Sequence, residues 1–504
     1  MKSSERVALA LLLAVFFATR LVSLTELPIF LDESGHIRWA IWISQGKKLE
    51  KPWQYGKGLP VFVNALVFPW AHAHYLWASR ALTVLFGAAT MLGTILLGRR
   101  LGGPAVGWLA GLFYIVCPYA LLYDRLALTD PAMGTFAVFV ALLSLRVAEG
   151  GPRRDGALLG LALALAVFAK ALGAILFFAP LTAALLIAPA RLRRPGTLAT
   201  AYAVGLALTA YALLRYVEVT ATMRVAIGKE ATGPLAHLAD NLPTCWAWLR
   251  HYWTSGLIAL GVIAVGRAVW QRSRPALFLA VFIAVPILAL AAVADIWFPR
   301  YLVFLTGPFV ALAAWGAHGL WTALRIRSSP AVARAAAAVG LALALLPAAR
   351  LDLDVLRDPS RADLDDSDRW QYVIGWPSGY GGRDTIAYVH QERARHPGGI
   401  VVVTNSRAVR TTALALSLEF AYGEGVRLED LNFDEPEGAL PLLEAWARET
   451  PTLVVIEASQ GKSRRPSPQL FAPMGGVLVA RTYKPDGTPC DDIYRLCAGP
   501  ACAR

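Results

Sequence analysis

Long apolar stretches separated by short polar segments fill the first 350 residues of the chain. A helix needs about 20 mostly apolar residues to cross the hydrocarbon core of a bilayer. Eleven stretches approach this length, so the sequence predicts about eleven membrane-spanning helices with approximate bounds. They lie at residues 7–24, 77–98, 105–122, 131–148, 156–171, 172–190, 197–217, 254–271, 276–294, 301–320 and 331–349.

Residues 351–504 show a different pattern, in which short apolar runs alternate with mixed segments. Alternating strands and helices predict a small α/β domain. The strand-like runs are 400–404, 452–458 and 476–483, and the helix-like segments are 384–396, 408–420 and 438–449. We therefore predict a polytopic α-helical membrane domain over 1–350, with a first outer loop at about 25–76, and a C-terminal α/β domain over 351–504. The acidic segment 351–369 is typical of a solvated linker rather than a calcium loop, because its spacing is not that of an EF-hand.

The composition supports a membrane protein, with 56% hydrophobic and only 16% charged residues. Soluble proteins average about 25% charged residues, so an ordinary soluble enzyme and a disordered protein are both excluded. The net charge is +13, which alone could suggest nucleic-acid binding. However, residues 1–350 carry +18 and residues 351–504 carry −5. The excess therefore belongs to the apolar part of the chain.

The basic residues of that part fall in alternate loops, as the positive-inside rule requires. Together with Lys2 and Arg6 they predict a cytoplasmic N-terminus, an uncleaved first helix and, with an odd number of spans, a C-terminal domain on the outer side of the membrane. The loop residues are Arg99, Arg100, Arg153, Arg154, Arg191, Arg193, Arg194, Arg267, Arg272, Arg274, Arg325 and Arg327.

The adjacent acids Asp32 and Glu33 follow the first predicted span, in the sequence PIFLDESGHIRWA. Asp32 could cap the helix that begins there, because a carboxylate accepts backbone N–H bonds. It could also act as a general base at the membrane surface and deprotonate an acceptor hydroxyl. Charges at a membrane boundary are costly unless they are paired or functional. Both interpretations stay open at this point.

Cations and further acids gather at the same predicted outer side. Lys57, Lys170 and Arg300 are among these cations, with Tyr301 beside the arginine. The structural explanations are loop solvation and, for Arg300 and Tyr301, an interface anchor. Asp130 could equally be a helix cap before Pro131. The supporting candidates are Asp124, Arg125, Asp130, Arg80 and His36.

A metal site and a disulfide are weaker candidates. His72 and His74 could bind a divalent metal together with Asp32, but two histidines in a loop are a weak signal, and metal dependence stays open. Cys490 and Cys497 could form a disulfide in a domain on the outer face. A zinc site is disfavoured there, because no CxxC motif and no nearby histidine accompany these cysteines.

Five segments in order resemble the GT-C membrane glycosyltransferases, in particular the bacterial aminoarabinose-transferase-like and protein-O-mannosyltransferase-like enzymes of glycosyltransferase families 39 and 83. Together with the Asp32-Glu33 pair they cover most of residues 28–312. Departures from the family pattern are Ser34-Gly35 after the acidic pair and Trp53 after Pro52. The segments are EKPWQYGKGLPVFVNAL (50–66), WASRALTVLFG (77–87), YDRLALTDPAM (123–133), VFAKALGAILFFAP (167–180) and FPRYLVFLTGPFVAL (298–312).

The resemblance implies the GT-C fold and transfer of a sugar from a polyprenyl-phosphate-linked donor to an acceptor hydroxyl on the outer face. It implies that Asp32 is the base of an inverting displacement, that Glu33 orients it or the acceptor, and that the cations bind the donor phosphate. The acceptor stays open among a lipid, a glycan and a protein. We expect no nucleic-acid partner, because the excess positive charge belongs to the apolar part of the chain. We expect no nucleotide-sugar donor, because no cytoplasmic domain is predicted and the predicted cytoplasmic loops are short and basic.

Two other classes of function compete with this interpretation. A transporter or flippase of lipid-linked glycans should show internal repeats and polar or broken helices at the middle of the membrane. No repeat is visible, and the charges lie at the predicted outer boundary. A membrane scaffold would leave Asp32, Glu33 and Lys170 without a role. The transferase is therefore the favoured hypothesis.

Overall fold

The computed structural model of the chain describes residues 3–71, 74–193, 195–227, 233–405, 411–421, 423, 425–433, 435–457 and 467–496. The chain divides into two compact units. Unit 1 comprises Met1–Leu24, Trp39–Trp70 and Trp77–Asp363, whereas unit 2 comprises Thr25–Arg38, Ala71–Leu76 and Leu364–Arg504. The predicted domain boundary at residue 350 falls inside a helix that runs from Pro330 to Arg357. Thr25–Arg38, the start of the predicted outer loop, belongs to the same unit as the C-terminal residues.

The first 357 residues are helical almost throughout their described part. Short 3-10 helices at Ala171–Phe177, Pro189–Arg193 and Pro299–Leu305 interrupt the α-helices. The α-helices are α1 (Ser3–Leu21), α2 (Leu31–Ser44), α3 (Lys51–Gln54), α4 (Gly58–Ala71), α5 (Tyr75–Gly102), α6 (Pro104–Ile115), α7 (Pro118–Asp124), α8 (Asp130–Ala148), α9 (Arg153–Ala169), α10 (Phe178–Ile187), α11 (Gly196–Ile227), α12 (Pro234–Tyr252), α13 (Thr254–Trp270), α14 (Arg274–Val293), α15 (Thr306–Arg327) and α16 (Pro330–Arg357).

Six of these segments are long and apolar enough to cross a membrane among the described residues, or up to eight if two bent helix pairs each count as one span. The bent pairs are α6 with α7, at 61°, and α12 with α13, at 106°. The predicted count of eleven is not confirmed. Three predicted spans fall on α1, which carries three charged residues, on α9, which has only 17 residues, and on a short apolar segment, Ala171–Ile187. α1 is long enough but carries three charges, whereas α9 ends at the extended Lys170.

Ion pairs identify one common end of four helices in unit 1. Glu5 at the start of α1 pairs with Arg99 near the end of α5 at 2.6 Å, and Arg100 pairs with Glu149 just after α8. Arg146 near the end of α8 pairs with Asp155 in the first turn of α9 at 3.0 Å. At about 1.5 Å per residue, α8 and α9 then carry their other ends about 25 Å away. Two candidate residues lie at those other ends, because α8 begins with Asp130 and α9 is followed by Lys170.

Unit 2 contains a five-stranded sheet with strand order β2-β1-β3-β5-β4. Strand β1 pairs parallel with β2 and β3, while β5 is antiparallel to β3 and β4. Helices cover both faces, which explains why β1 and β3 are buried throughout. The strands are β1 (Ile400–Asn405), β2 (Val426–Leu431), β3 (Thr452–Glu457), β4 (Val477–Tyr483) and β5 (Pro489–Leu496), and the α-helices are α17 (Asp366–Arg369), α18 (Gly382–Arg395), α19 (Thr411–Glu419) and α20 (Pro436–Glu449).

The predicted α/β fold of this region is confirmed, but two strands escaped the sequence pattern. Strand β2 reads VRLEDL and lies at the edge of the sheet, where charged side chains are tolerated. Strand β5 reads PCDDIYRL and contains two buried aspartates. Asp492 pairs with Arg481 on β4 at 2.5 Å, and Asp491 accepts hydrogen bonds from two threonine hydroxyls. Tertiary partners therefore override the low strand propensity of aspartate.

Asp491 gives unit 2 a testable pH dependence. Thr385 and Thr412 donate to its carboxylate at 2.6 and 3.0 Å, but burial outweighs these bonds and raises the pKa of Asp491. A raised pKa contributes stability below the unfolded pKa of about 3.9, and this contribution is lost as the pH rises through the folded pKa. Asp491→Asn cannot ionise. We therefore expect it to raise the unfolding temperature of the full-length protein at about pH 7.5, with a smaller gain at about pH 4.5.

Asp486→Asn is the control of opposite sign. Burial is slight, and the N–H and hydroxyl of Thr488 donate to the Asp486 carboxylate, which lowers its pKa. A lowered pKa contributes stability above the unfolded pKa and loses it on acidification. Asp486→Asn should therefore lower the unfolding temperature at neutral pH, with the difference shrinking in acid. Equal responses of the two variants to pH would contradict this assignment.

Candidate functional site

The Asp32-Glu33 pair lies in the first turn of α2. Glu33 is fully buried, and its Oε2 accepts the backbone N–H of Phe30 at 2.9 Å. This is the bond that the third helical residue makes back to the N-cap in a capping box. The structure therefore assigns this capping bond to Glu33. Asp32 is half-buried inside the first turn, where the helix dipole favours a negative charge.

His36 lies one turn after Asp32 and is also buried. Of the two histidines that the sequence offered as metal ligands, His72 lies outside the described residues and His74 is exposed. Across the described part of the chain, no group of three or more His, Cys, Asp or Glu side chains is arranged to hold a metal ion. The role of a divalent metal thus stays an open expectation, and His36 has its place in the packing of α2.

Lys170 marks a break in the helical chain of unit 1. Helix α9 ends at Ala169, Lys170 is extended with φ −154° and ψ 130°, and the 3-10 helix begins at Ala171. The side chain of Lys170 is 13% exposed, and its Nζ lies 2.5 Å from Oδ1 of Asp130. A lysine inside an apolar stretch is costly without an anionic partner, and Asp130 is such a partner.

Asp130 and Tyr301 complete the immediate surroundings of Lys170. Asp130 begins α8, and its carboxylate binds Lys170, while the N-cap residue Thr129 makes no side-chain capping bond. The Lys170 ammonium also lies 4.1 Å from the centroid of the Tyr301 ring, within range of a cation–π interaction. An ammonium group has three donors, and Asp130 accepts from one of them.

The loop that carries Lys57 is fixed against this break. The backbone N–H of Ala171 donates to the carbonyl oxygen of Gly56 at 2.8 Å. Gly56 has φ +62°, and a Cβ there would lie 2.5 Å from the Cβ of Ala171. Only glycine allows this close approach in a left-handed conformation. Lys57, which is half-buried, follows directly, so this loop and the break at Lys170 are neighbours in space.

Arg300 lies in the 3-10 helix Pro299–Leu305 and is 7% exposed. Its guanidinium lies 4.8 Å from the ring centroid of Phe298 and 5.7 Å from that of Tyr301. The hydroxyl of Tyr119 donates to the carbonyl oxygen of Pro299 at 2.5 Å and holds this turn in place. A buried arginine between aromatic rings does not suit the interface-anchor interpretation, which needs a head group in contact with lipid and water.

Four distant segments of unit 1 thus meet around one aromatic ring and one ion pair. They are the loop before Lys57, the start of α8, the break at Lys170 and the turn at Arg300. The assembly contains the cations Lys170 and Arg300, with Lys57 in the neighbouring loop, together with the carboxylate of Asp130 and the ring of Tyr301. Such a set can bind a phosphate and stabilise negative charge that develops on a leaving group.

The other predicted supporting residues make contacts around the end of α1. Asp124 lies 3.6 Å from Nε of Arg20 and accepts a hydrogen bond from Tyr114 at 3.1 Å. Arg80 donates to the carbonyl oxygen of Leu24 at 2.8 Å. Arg125 donates to four carbonyl oxygens at the end of α1 and in the turn that follows it. Carbonyl groups at the end of a helix have no acceptor role within the helix itself. The acceptors are Thr19, Arg20, Val22 and Ser23. Arg20 is a further member of this group. In the sequence it looks like the boundary of a span, so the sequence alone does not single it out.

These contacts predict a structural role for Arg125 that a lysine cannot replace. A lysine keeps the charge but loses the planar fork that reaches four carbonyl groups. Because a hydrogen bond to a charged group contributes about 1.5–3 kcal/mol, Arg125→Lys should destabilise unit 1 by about 2 kcal/mol. The thermal unfolding temperature in detergent measures this, with exposed Arg327→Lys as the control. An unchanged unfolding temperature for Arg125→Lys would contradict the structural role.

The predicted disulfide between Cys490 and Cys497 falls partly outside the described residues, which end at 496. Cys490 is a buried free thiol in the described part, and its Sγ donates to the carbonyl oxygen of Tyr380 at 3.4 Å. Burial, with Asp491 next to it, raises the pKa of the Cys490 thiol, so the thiolate that reacts is disfavoured. The pairing stays a prediction.

The whole chain is similar in fold to solved membrane glycosyltransferases. ArnT from Cupriavidus metallidurans in the apo state matches with a TM-score of 0.53 and 14% identity, covering 97% of both chains. ArnT bound to undecaprenyl phosphate matches with a TM-score of 0.52, 12% identity and the same coverage. An oligosaccharyltransferase from Archaeoglobus fulgidus matches with a TM-score of 0.54 and 11% identity, covering 90% of this chain and 69% of that chain.

A family model supports the same assignment over part of the chain. The model of dolichyl-phosphate-mannose-protein mannosyltransferases matches residues 61–214, a segment that includes Asp130 and Lys170 but not Asp32 or Arg300. No curated protein matches the sequence significantly. The predicted resemblance is thus confirmed at the level of fold. The chain is a multi-pass membrane protein with the GT-C architecture.

Proposed function

We propose that this chain, a GT-C membrane protein of the aminoarabinose-transferase and protein-mannosyltransferase type, transfers a sugar from a polyprenyl-phosphate-linked donor to an acceptor hydroxyl. The observation that carries the proposal is the cluster around Lys170. Lys170 interrupts an apolar helical stretch and contacts Asp130 and Tyr301. Packing alone does not require a lysine at this position, because a charge in an apolar stretch is costly. A lipid-linked phosphate needs cations at such a place.

The chemistry assigns one task to each group. The acceptor oxygen forms a bond to the anomeric carbon while the bond from that carbon to the phosphate oxygen breaks. The leaving polyprenyl phosphate takes the electron pair, and Lys57, Lys170 and Arg300 stabilise its charge. Asp32 takes the proton from the acceptor hydroxyl. Attack on the face opposite the phosphate inverts the anomeric configuration. Asp130 holds the Lys170 ammonium in place through their ion pair, and Glu33 holds the start of α2.

The relatives support the class of donor. ArnT has been solved with undecaprenyl phosphate, and the Archaeoglobus enzyme has been solved with an inhibitory peptide and a dolichol-phosphate. Both lipids carry the phosphate that remains when a sugar leaves. We further propose that the reaction takes place on the periplasmic face of a bacterial inner membrane and that 351–504 is exposed there. The sequence supports this through the arginines of alternate loops.

The test is transfer by the purified full-length protein in detergent or vesicles. Polyprenyl-phosphate sugars of several kinds are supplied with envelope lipids, glycans and peptides as acceptors. We expect release of polyprenyl phosphate and a sugar joined to one class of acceptor, or slow hydrolysis when no acceptor is present. If no sugar leaves any donor while the protein is folded and binds polyprenyl phosphate, the transferase function is excluded.

The same experiment separates the transferase from a transporter or flippase of lipid-linked glycans. A flippase moves the intact donor across the bilayer without breaking the bond between sugar and phosphate. In sealed vesicles it would change the accessibility of the donor but leave its mass unaltered. A new glycosidic bond, detected by mass spectrometry, is expected only for the transferase.

A further inference from the structure

We propose that the C-terminal segment Trp370–Arg383 is a positioning element for Asp32, so that the C-terminal domain takes part in the reaction by holding the start of α2. This inference rests on the proposed role of Asp32 as base. It concerns unit 2 alone, because Thr25–Arg38 and Leu364–Arg504 belong to the same compact unit. No feature of the sequence pattern linked these two parts of the chain.

The first contact is a backbone hydrogen bond at the beginning of the helix. The N–H of Leu31 donates to the carbonyl oxygen of Pro377 at 3.0 Å. Leu31 is the first residue of α2, and the first N–H groups of a helix have no acceptor within the helix itself. Pro377 supplies that acceptor. The segment therefore fixes where α2 begins, one residue before Asp32.

Side-chain packing fixes the direction from which the chain enters the helix. The ring of Phe30 meets that of Tyr372 edge to face, with centroids 4.9 Å apart. Gly379 lies against Pro28 and Ile29 so closely that a Cβ would overlap the carbonyl oxygen of Ile29 and lie 3.0 Å from the Cβ of Pro28. Farther out, Arg383 pairs with Glu26 at 3.4 Å.

The positioning segment is itself rigidly held. The hydroxyl of Ser378 makes hydrogen bonds to the carbonyl oxygens of Tyr372 and Val373 at 3.0 and 2.9 Å. The buried Lys484 donates to the carbonyl oxygens of Gly375 and Ser378 at 2.8 and 3.0 Å. A reactive group keeps its place only when the shell around it is fixed. These bonds supply such a shell for the residues just before Asp32.

Gly379→Ala tests the proposal, and Gly398→Ala is its matched control. Gly398 is exposed in the same domain, has no neighbour within 4 Å of an added Cβ and does not adopt a positive φ. A displacement of about 1 Å at a reacting group can cost about 100-fold in rate. We expect Gly379→Ala to lower kcat by about this factor with the donor KM unchanged, and Gly398→Ala to leave both constants at the wild-type values.

Hydrogen–deuterium exchange gives a readout that needs no substrate. In Gly379→Ala, the amide of Leu31 and its neighbours should exchange about tenfold faster than in the wild type and in Gly398→Ala. Arg383→Gln, at an exposed position, is the milder variant if Gly379→Ala does not fold. It removes the pair with Glu26 and should give a smaller change in the same direction.

The outcomes separate this inference from the proposed function. If the wild type transfers sugar and Asp32→Asn does not, but Gly379→Ala keeps the full kcat and wild-type exchange at Leu31, the positioning role is wrong and the transferase stands. If the wild type transfers no sugar from any donor, the proposed function fails. In that case accelerated exchange at Leu31 would still establish the mechanical link, but without a role in catalysis.

Discussion

Asp32→Asn is expected to lower the rate of sugar transfer by about 10²- to 10⁴-fold, which is the usual contribution of a general base. Asparagine keeps the size of the side chain and one acceptor oxygen, but it cannot take up a proton. The capping bond from the N–H of Phe30 to Glu33 is kept in this variant, which should hold the helix start in place. The measurement is release of polyprenyl phosphate from the donor, together with thermal unfolding in detergent. Full activity of the folded variant would remove the base assignment.

Two controls make the result specific. Glu33→Gln keeps an oxygen that can accept the N–H of Phe30, so its activity should fall far less than that of Asp32→Asn. Asp384→Asn removes another acidic residue from the first turn of a helix in unit 2, at an exposed position. It should be active. If Glu33→Gln were the inactive variant and Asp32→Asn the active one, the two carboxylates would have to exchange roles.

The general architecture follows from simple physical rules in the sequence. Length and hydropathy identified each of the six long apolar helices, because no soluble environment tolerates such stretches. The boundaries near residue 170 could not be read in the same way. There the chain leaves α9 at a single extended lysine and continues as a 3-10 helix, and hydropathy averaged over a window does not detect one residue. The missing strand β5 was obscured by Asp491 and Asp492, whose partners lie elsewhere in the chain.

The candidate site was predicted as a set of residue types, but not as a set of contacts. The scarcity of charge in an apolar chain selected Lys170, Asp130 and Arg300. Asp130 and Lys170 meet across 40 positions of the chain, and Lys170 and Tyr301 meet across more than a hundred, and one sequence contains no information on such pairings. The cap made by Glu33 was missed because both residues of an acidic pair satisfy the same local rule.

The glycine-rich segment GYGGRD, residues 379–384, shows the limit most clearly. Alone it is typical of a turn, and it does begin helix α18. Its tight contact with Ile29 has no counterpart in the local sequence, because a glycine that is needed for close approach looks the same as one that is needed for a turn. The proposed positioning of Asp32 depends on this contact between remote segments.

Lys170→Met is the second substitution with a large expected effect. It removes a donor to the phosphate, and a hydrogen bond to a charged group contributes about 1.5–3 kcal/mol. The value of kcat/KM for the donor should therefore fall by about 10- to 150-fold. The same substitution leaves Asp130 buried without its cation, which should cost about 3–5 kcal/mol of stability. Activity and thermal unfolding would thus decline together, so this variant alone cannot separate the two roles of the lysine.

The double variant Lys170→Met with Asp130→Asn resolves the two effects. An amide at position 130 needs no counterion, so the unfolding temperature should return most of the way to that of the wild type. Activity should stay low, because the phosphate still lacks its lysine. A double variant that recovers both stability and kcat/KM would show that Lys170 only neutralises Asp130. One that recovers stability alone would place the lysine on the donor, since removal of a purely structural ion pair leaves the affinity for phosphate unchanged.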